Sequence, residues 1–297
     1  SDKDLGITET TAKNLTGYRN IAIFGVDSRS DDYGVGNRSD CIIIASINND
    51  TGAIKLISVY RDTYVNIEGH GLDKITHAYS YGEAPLAVKT LNTNLDLNIN
   101  EFVTVNFDSV AEAVDQLGGV QLTITSDEIK YINGYIDETS KVTGKTSEHI
   151  TEPGTYTVDG VQAVAYSRIR YTDGGDYKRT ERMRTVIEAM FSKLKTKNLN
   201  EINSFADKIL PHVYTNISAT DIISMVPSMS KYKVTESIGW PYDTKGKTMD
   251  RWYGIPITLE SNVKQLHKEA FGEENYTPSD IVKSISESII KKTGYTK

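Results

Sequence analysis

The run from residue 41 to residue 59 restricts the fold of this chain more than any other stretch. Two apolar segments rich in β-branched residues, "CIIIASI" and "AIKLISV", enclose "NNDTG", whose asparagine, aspartate and glycine favour a turn. The pattern predicts a β-hairpin in which the numbers of paired residues sum to about 101. Asp40 is therefore expected opposite Arg61, at the open end of the hairpin.

A second apolar run, "NIAIFGVD" at residues 20–27, has the composition of a buried strand that ends at Asp27. If this strand pairs antiparallel with the first strand of the hairpin, Asp27 reaches the same open end. Strand ends of this kind are where open α/β sheets usually hold their ligands. One rim of the sheet is then expected to carry Asp27, Arg38, Asp40, Arg61 and Asp62.

Helical and extended patterns alternate after the hairpin. Residues 83–95 predict a helix with Pro85 in its first turn, and "FVTVNF" predicts a strand that leads into a helix capped by Asp108. "VQLTIT" predicts a further strand, so the chain is expected to form a layered α/β fold. Residues 126–155 are polar without clear periodicity and are expected to form a surface excursion. Residues 159–168 fit either a helix or a strand.

The arginines are concentrated although the chain carries a formal net charge of -7. Residues 180–197 form a strong helical pattern, and Arg179 directly precedes it. Arg179 and Arg182 lie three residues apart at the start of this helix, so both point to one face. Arg168 and Arg170 precede a loop with two consecutive glycines, which permits a tight turn that brings the two pairs together. Four guanidinium groups suit a pyrophosphate, and an ordinary surface ion-pair network is the alternative.

Two carboxylates favour the phosphate site over the ion-pair network. Asp27 and Asp40, at strand ends, are the kind of ligand that holds Mg²⁺ against phosphate oxygens. Other site types find no support in the sequence. Its acidic balance argues against nucleic acid as a partner, its five histidines lack metal-binding spacing, and the lone Cys41 lies in an apolar strand. The polar residues 1–17 are expected to form a flexible lead-in that can follow a removed membrane anchor.

Six segments, taken in order, resemble the LytR-CpsA-Psr proteins. They are "NIAIFGVDSR", "NRSDCIIIASIN", "KLISVYRDTYVNI", "DKITHAYSYG", "FDSVAEAVDQLGGV" and "DGVQAVAYSRIRYTDGGDYKRTERMR". The resemblance runs from about residue 18 to residue 200. It implies one catalytic domain at residues 18–297, built as an α-β-α sandwich around a central mixed β-sheet, with a hydrophobic groove for a polyprenyl chain.

The resemblance also implies an activity. Such proteins are Mg²⁺-dependent phosphotransferases on the extracytoplasmic face of the membrane, tethered by an N-terminal transmembrane helix that is absent from this chain. They move a glycopolymer, such as wall teichoic acid or capsule, from undecaprenyl-pyrophosphate to the C6 hydroxyl of N-acetylmuramic acid in peptidoglycan. Two alternatives use the same residues: a regulatory protein that binds polyprenyl phosphates without turnover, and a pyrophosphatase.

The motifs that match carry the family's functional residues onto this chain. The metal ligands fall on Asp27 and Asp40, and the catalytic set is Asp27, Asp40, Arg61 and Asp62, with the choice of base left open. The pyrophosphate ligands are expected at Arg29, Arg38, Arg61, Arg168, Arg170, Arg179 and Arg182. The apolar face of the helix at residues 180–197 is a candidate wall of the lipid groove, or plain core, and consists of Val186, Met190, Phe191 and Leu194.

Overall fold

The computed structural model describes residues 1–28 and 31–297. Its strands are β1 (Tyr18–Val26), β2 (Ser39–Asn48), β3 (Ala53–Val59), β4 (Tyr64–Ile67), β5 (Gly71–Lys74), β6 (Glu101–Val105), β7 (Val120–Ile124), β8 (Gly154–Val158), β9 (Tyr214–Thr215), β10 (Lys233–Trp240), β11 (Thr244–Thr248) and β12 (Trp252–Pro256). Its α-helices are α1 (Glu9–Asn14), α2 (Thr76–Leu95), α3 (Phe107–Gln116), α4 (Ser126–Thr143), α5 (Gly160–Arg168), α6 (Gly175–Leu194), α7 (Leu199–Ile209), α8 (Ala219–Met225), α9 (Leu259–Phe271) and α10 (Asp280–Thr293). The fold is mixed α/β, with helices flanking a central mixed sheet.

The chain divides into two compact units. The first comprises residues 1–26, 33–102 and 235–297, and the second comprises residues 27–32 and 103–234. The single domain expected from residue 18 onward is therefore built from two units in this structure. Within the described ranges, no helix is long and apolar enough to cross a membrane.

The first unit contains the neighbouring strands β10, β3, β2 and β1, followed by the start of β6. The predicted hairpin register is confirmed, because Ile43 pairs with Ser58 and Ile47 with Ile54, antiparallel. β1 also pairs antiparallel with β2, as expected, and a register shift lies between Gly25 and Val26. Ile43 and Ile44 are both about 1% exposed, so β2 is buried on both faces like a central strand.

Residues 1–17 pack on the first unit, in contrast to the flexible lead-in that the sequence predicts. Thr8 caps α1 by accepting a hydrogen bond from the Thr11 amide, and Leu15 is fully buried. The side chain of Asn92 donates to the Leu5 carbonyl at 2.9 Å. The segment is polar in composition, but its few apolar side chains suffice to hold it against the unit.

The second unit has a core of its own. Alternate residues of β7 point inward, and Val120, Leu122 and Ile124 pack with the buried faces of α4, α5 and α6. The end of β6 pairs antiparallel with β9. Residues 159–168, which the sequence left open, form the helix α5 with Asp159 as its cap. α3 is capped by Asn106, two residues before the predicted Asp108.

The predicted surface excursion at residues 126–155 is wrong, because most of it is the 18-residue helix α4. Thr125 and Glu128 form a reciprocal capping box at its start, and Ile132 and Ile136 are fully buried. The sequence does contain these signals in "TSDE" and in isoleucines spaced three to four apart. Internal Gly134 and the many polar side chains weaken the pattern, so tertiary burial decides the helix.

Candidate phosphate-binding site

Four charged side chains meet at the open end of the hairpin in the first unit: Asp40, Arg61, Asp62 and Lys74. Nη1 of Arg61 lies 2.8 Å from Oδ1 of Asp40, and its Nε lies 3.6 Å from Oδ1 of Asp62. Nζ of Lys74 lies 3.2 Å from the same Asp62 oxygen. The predicted juxtaposition of Asp40 and Arg61 is therefore confirmed. The exposed fractions of the four side chains lie between 17 and 27%, so the group is only partly screened by water.

These close charges are incompletely hydrogen-bonded. Oδ1 of Asp40, Nε of Arg61 and Oδ1 of Asp62 are buried atoms that find no hydrogen-bond partner among the described residues. The 2.8 Å approach of Arg61 to Asp40 is thus a charge contact without hydrogen-bond alignment. Buried polar atoms that lack partners cost folding free energy, and they concentrate at functional sites. The group can therefore accept an additional ligand without first breaking a well-formed hydrogen-bond network.

The turn that carries Arg61 is fixed from both sides. The amide and hydroxyl of Thr63 donate to the Tyr60 carbonyl at 3.1 and 2.6 Å, and the Thr76 amide donates to the Arg61 carbonyl at 3.1 Å. The Gly254 amide donates to the Asp62 carbonyl at 2.9 Å. The backbone beneath the two charged side chains is therefore held in place before any ligand binds, as preorganised binding requires.

A second acidic centre lies close to this turn in sequence. Asp73 accepts hydrogen bonds from the Tyr81 hydroxyl at 2.7 Å and makes a 3.0 Å contact with Nδ1 of His77. Burial alone would raise the pKa of Asp73, but the hydrogen bonds from Tyr81, His77 and the Lys74 amide hold it below its ordinary value. Asp73 therefore stays ionised and fixes the orientation of the imidazole.

The other predicted residues of the strand ends are less constrained. Asp27 is exposed and directly follows Val26, which pairs with Ser39 at the register shift. Arg38 is exposed as well, just before β2. Arg29 lies outside the described residues. The metal and phosphate roles assigned to these three residues stay predictions.

Arg170 and Arg179 come together in the second unit. Nε of Arg170 and Nη2 of Arg179 lie 3.6 and 3.8 Å from the same oxygen, Oδ1 of Asp176. The predicted tight turn supplies this convergence, because Gly174 and Gly175 have φ values of 95° and 52°, which only glycine adopts readily. Two guanidinium groups that share one carboxylate oxygen have the geometry to share a phosphate oxygen.

Arg168 lies on a different set of partners in the same unit. Its Nη1 donates to the Thr139 hydroxyl at 3.0 Å, and its Nη2 lies 3.4 Å from the Glu138 carboxylate. Its guanidinium carbon is 4.8 Å from the Phe107 ring centroid and 5.7 Å from that of Tyr135. Arg168 is thus held by α4 and by two aromatic faces.

Arg182 is buried, with an exposed side-chain fraction of 2%. Its Nε donates to Glu128 at 2.6 Å, its Nη1 to the Ile169 carbonyl at 3.0 Å and its Nη2 to the Thr172 hydroxyl at 2.6 Å. These bonds join the start of α4 to the segment at residues 169–174, which carries Arg170. Glu128 is a site residue that the sequence analysis does not predict, and its signal is the capping box "TSDE" at the start of α4. The direct phosphate role of Arg182 stays a prediction.

The four residues expected to line a lipid groove lie on α6. Val186 is buried in the core of the second unit, and Met190 and Leu194 pack against that core. Phe191 is half-buried, and its ring lies 5.8 Å from Nζ of Lys195. Three of the four side chains therefore take part in core packing, which was the alternative for this face of the helix. A role of the four residues in binding a lipid stays a prediction.

Mg²⁺ is compatible with the residues at the strand ends. Within residues 1–28 and 31–297, no three acidic, histidine or cysteine side chains cluster as a ready-made metal cage. Mg²⁺ bound with a phosphate substrate usually takes only one or two protein carboxylates. Oδ1 of Asp40 is a hard oxygen donor that lacks a hydrogen bond, so it fits that requirement.

The fold is that of an α/β protein with charged side chains at its strand ends. The carboxylates beside Arg61, and the pair of Arg170 and Arg179 at the glycine turn, suit a phosphorylated ligand. The LytR_cpsA_psr family model matches residues 2–268, across both units, and the chain belongs to this family.

Relatives and solved structures agree with this membership. The polyisoprenyl-teichoic acid–peptidoglycan teichoic acid transferase TagT of Bacillus subtilis is 33% identical over 233 residues, which cover 76% of this chain and 69% of the relative. The transferase TagU of Enterococcus faecalis is 33% identical over 74% of this chain and 69% of its own length.

Two solved structures carry informative ligands. "TagT bound to LIIa-WTA" matches with a TM-score of 0.68 and 28% identity, covering 88% of this chain and 92% of the other. A LytR-CPS2A-psr family protein, YwtF (TagT), with bound octaprenyl pyrophosphate lipid matches with a TM-score of 0.63 and 28% identity, covering 86 and 91%.

Proposed function

We propose that this protein transfers a teichoic-acid-type glycopolymer from a polyisoprenyl-pyrophosphate carrier to peptidoglycan. The names of the curated relatives state this transfer for those proteins, and the two ligand-bound neighbours hold LIIa-WTA and octaprenyl pyrophosphate. The observation in this chain that supports the proposal best is the group of Asp40, Arg61 and Asp62, which combines fixed positive charge with acidic proton acceptors.

The proposed reaction exchanges one phosphorus–oxygen bond for another. The C6 hydroxyl of N-acetylmuramic acid attacks the phosphorus next to the glycan, and a phosphodiester joins the glycan to peptidoglycan. The bond to the bridging oxygen of the pyrophosphate breaks, so the carrier leaves as polyisoprenyl phosphate. The proton of the hydroxyl passes to a carboxylate of the site, for which Asp27, Asp40 and Asp62 are the candidates.

The arginines stabilise the charge that develops during this exchange. In the proposal, Arg61 binds phosphate oxygens, and so does the pair of Arg170 and Arg179. A phosphate oxygen takes the place that Asp176 now holds between that pair. Fixed guanidinium groups stabilise a phosphoryl-transfer transition state because they need no reorganisation as the charge forms.

Mg²⁺ is part of the proposal, with Asp27 and Asp40 as its protein ligands. When bound, it supplies positive charge that neutralises phosphate oxygens. Asp40→Asn should then weaken Mg²⁺ binding, measured by calorimetry in the presence of a soluble pyrophosphate, as well as slow the transfer. Unchanged affinity in this variant would remove Asp40 from the metal site without touching the proposed reaction.

The place of action follows from the acceptor. Peptidoglycan lies outside the cytoplasmic membrane, so we propose that the protein works on the extracytoplasmic face, with an N-terminal transmembrane helix as its tether.

The decisive experiment is a transfer assay with a short lipid-pyrophosphate glycan and peptidoglycan oligomers. Arg61→Ala and Asp40→Asn should each slow product formation about 100-fold or more, the usual effect of removing one transition-state contact. Asp50→Asn, in the exposed turn of the same hairpin, is the matched control and should leave the rate unchanged.

Three results would contradict the proposal. Wild-type rates in both site variants would exclude this site. Release of glycan phosphate to water with the acceptor present would indicate a pyrophosphatase. Tight binding of the lipid without any product would indicate a regulatory binding protein.

A further inference from the structure

A groove in the second unit has no role in the reaction proposed above, although its lining includes Arg182 and the partners of Arg182, Glu128 and Thr172. Its volume is about 1160 Å³, and it is bounded by β7 and β8, the first turn of α4 and one face of α6. We name it the α6 groove. Its lining residues on α6 and just beyond recur every three to four positions from Lys178 to Thr196. At 1.5 Å per residue this stripe is about 27 Å long, enough for a chain of several sugar units.

Most side chains that line the α6 groove carry a polar group. Eight of its side chains are serine or threonine, including Thr157, Thr185 and Ser192, whereas Leu122 and Ala189 are its aliphatic members. Sites for lipid chains are lined predominantly by apolar and aromatic side chains. The groove therefore does not suit a polyprenyl tail, but its hydroxyls can both donate and accept hydrogen bonds with a hydroxyl-rich or amide-rich ligand.

The charge of the lining distinguishes between an anionic and an uncharged polar ligand. Five acidic and three basic side chains border the groove, and one acidic–basic pair among them is the buried Glu128–Arg182 contact. Exposed Glu181 and Glu188 lie along α6 itself. An excess of negative charge repels a polyanion such as a teichoic acid chain, so the groove suits an uncharged chain.

The groove also has a direction. At one end it is lined by Thr172, Asp173, Lys178 and Arg182, which belong to or contact the glycine turn between Arg170 and Arg179. At the other end it reaches Thr196, after the last turn of α6. A chain that lies along α6 therefore has one end at the paired arginines and extends away from them.

We propose that the α6 groove binds the glycan strand of the peptidoglycan acceptor, an uncharged chain of N-acetylated hexosamines. The inference rests on the proposed function and adds the site of its second substrate. The hydroxyls and carboxylates of α6 bind sugar hydroxyls and acetamido groups, and the acceptor is held with a sugar hydroxyl directed at the arginine end. The donor polymer, being polyanionic, is excluded from this groove.

The test measures binding apart from turnover. The probe is the β-1,4-linked tetramer of N-acetylglucosamine, titrated by calorimetry or NMR, with poly(glycerol phosphate) as the anionic comparator. The wild type should bind the tetramer and bind the polyanion at least tenfold more weakly. Ser192→Trp fills the groove and should weaken tetramer binding at least tenfold. Ser204→Trp, at an exposed serine of α7 in the same unit, is the matched control and should bind like the wild type.

Kinetics provide the second measurement. In the transfer assay, Ser192→Trp should raise the KM for peptidoglycan oligomers at least tenfold while leaving the KM for the lipid-linked donor within twofold. Thr157→Trp, on the opposite wall of the groove, should act in the same way and replaces Ser192→Trp if that variant unfolds.

The outcomes separate this inference from the proposed function. Tetramer binding that both tryptophan variants leave intact overturns the acceptor groove, even if transfer occurs. Preferential binding of the polyanion overturns it in favour of a donor site. Tetramer binding lost in the variants, without transfer in the wild type, supports the groove and contradicts the transferase.

Discussion

The contact between Glu128 and Arg182 should be one of the most sensitive points of the second unit. Their side chains are 6 and 2% exposed, and the two charges are 2.6 Å apart. Glu128→Gln keeps the size of the side chain and the oxygen that can accept from the Thr125 amide, but it removes the negative charge and the acceptor that faces Nε of Arg182. Arg182 is then buried without its counter-ion, which typically costs about 3–5 kcal/mol.

This loss is large enough to measure by thermal unfolding. A change of 1 kcal/mol shifts Tm by about 2–4 °C in a domain of 150–250 residues, so Glu128→Gln should lower Tm by about 6–20 °C. Circular dichroism and denaturant titration should both report it. Glu128→Gln combined with Arg182→Met should recover part of the loss, because no buried charge then lacks a partner.

The chain offers a matched control for burial. Glu112 lies 2.6 Å from Lys145, the same distance, but the two side chains are 32 and 38% exposed. Glu112→Gln should therefore cost less than about 1 kcal/mol, as exposed ion pairs usually do. Equal destabilisation by the two substitutions would refute the argument that burial sets the cost.

Three further substitutions test other parts of the structure. Asp176→Ala removes the carboxylate between the two arginines, so the KM for the lipid-pyrophosphate donor should fall several-fold, and a rise would show that the carboxylate orients them for binding. Asp96→Ala leaves the Tyr276 hydroxyl and the amide and hydroxyl of Ser279 without their acceptor, at a residue with φ 49°. The free energy of unfolding of the first unit, measured by denaturant titration, should fall by about 2–4 kcal/mol. A loss below about 1 kcal/mol would contradict this expectation. Asp73 has a lowered pKa, so its contribution to stability is complete above pH 3.8, the ordinary pKa of an aspartate, and is lost as the pH falls through the lower pKa of the folded state. In Asp73→Asn, Tm should therefore decrease less steeply with falling pH in that range. The same decrease in the variant and the wild type would contradict the role of the hydrogen bonds to Asp73.

The parts of the site that the sequence predicted correctly depend on local pattern. The turn "NNDTG" favours the register of β2 and β3, and that register directs Asp40 and Arg61 to the same end of the hairpin, where they meet. Gly174 and Gly175, at the start of α6, likewise predict the turn that joins Arg170 and Arg179. In each case a few neighbouring residues determine the backbone, so the spacing of side chains follows from chain geometry.

The parts that the sequence did not predict depend on contacts between distant segments. Glu128 and Arg182 are 54 residues apart, and Arg168 reaches Thr139 across 29 residues. Glu128 and Thr139 both lie on α4, whose buried isoleucines are outnumbered by polar residues in the sequence. The contacts of Arg182 and Arg168 with this helix are therefore not predictable from the sequence pattern. Intrinsic helix propensity is a weak signal, and packing against the core of the second unit supplies most of the stability of such a helix.

The sequence by itself determined the hairpin, its register, the gathering of arginines and the family to which the chain belongs. The tertiary structure alone decided how those arginines differ. Arg170 and Arg179 share one exposed carboxylate, whereas Arg182 is buried with Glu128, and Arg168 contacts two aromatic rings and Glu138. The physical reason is that the strength of a charge pair depends on its burial and on partners supplied by remote segments, and neither is written in the spacing of the arginines.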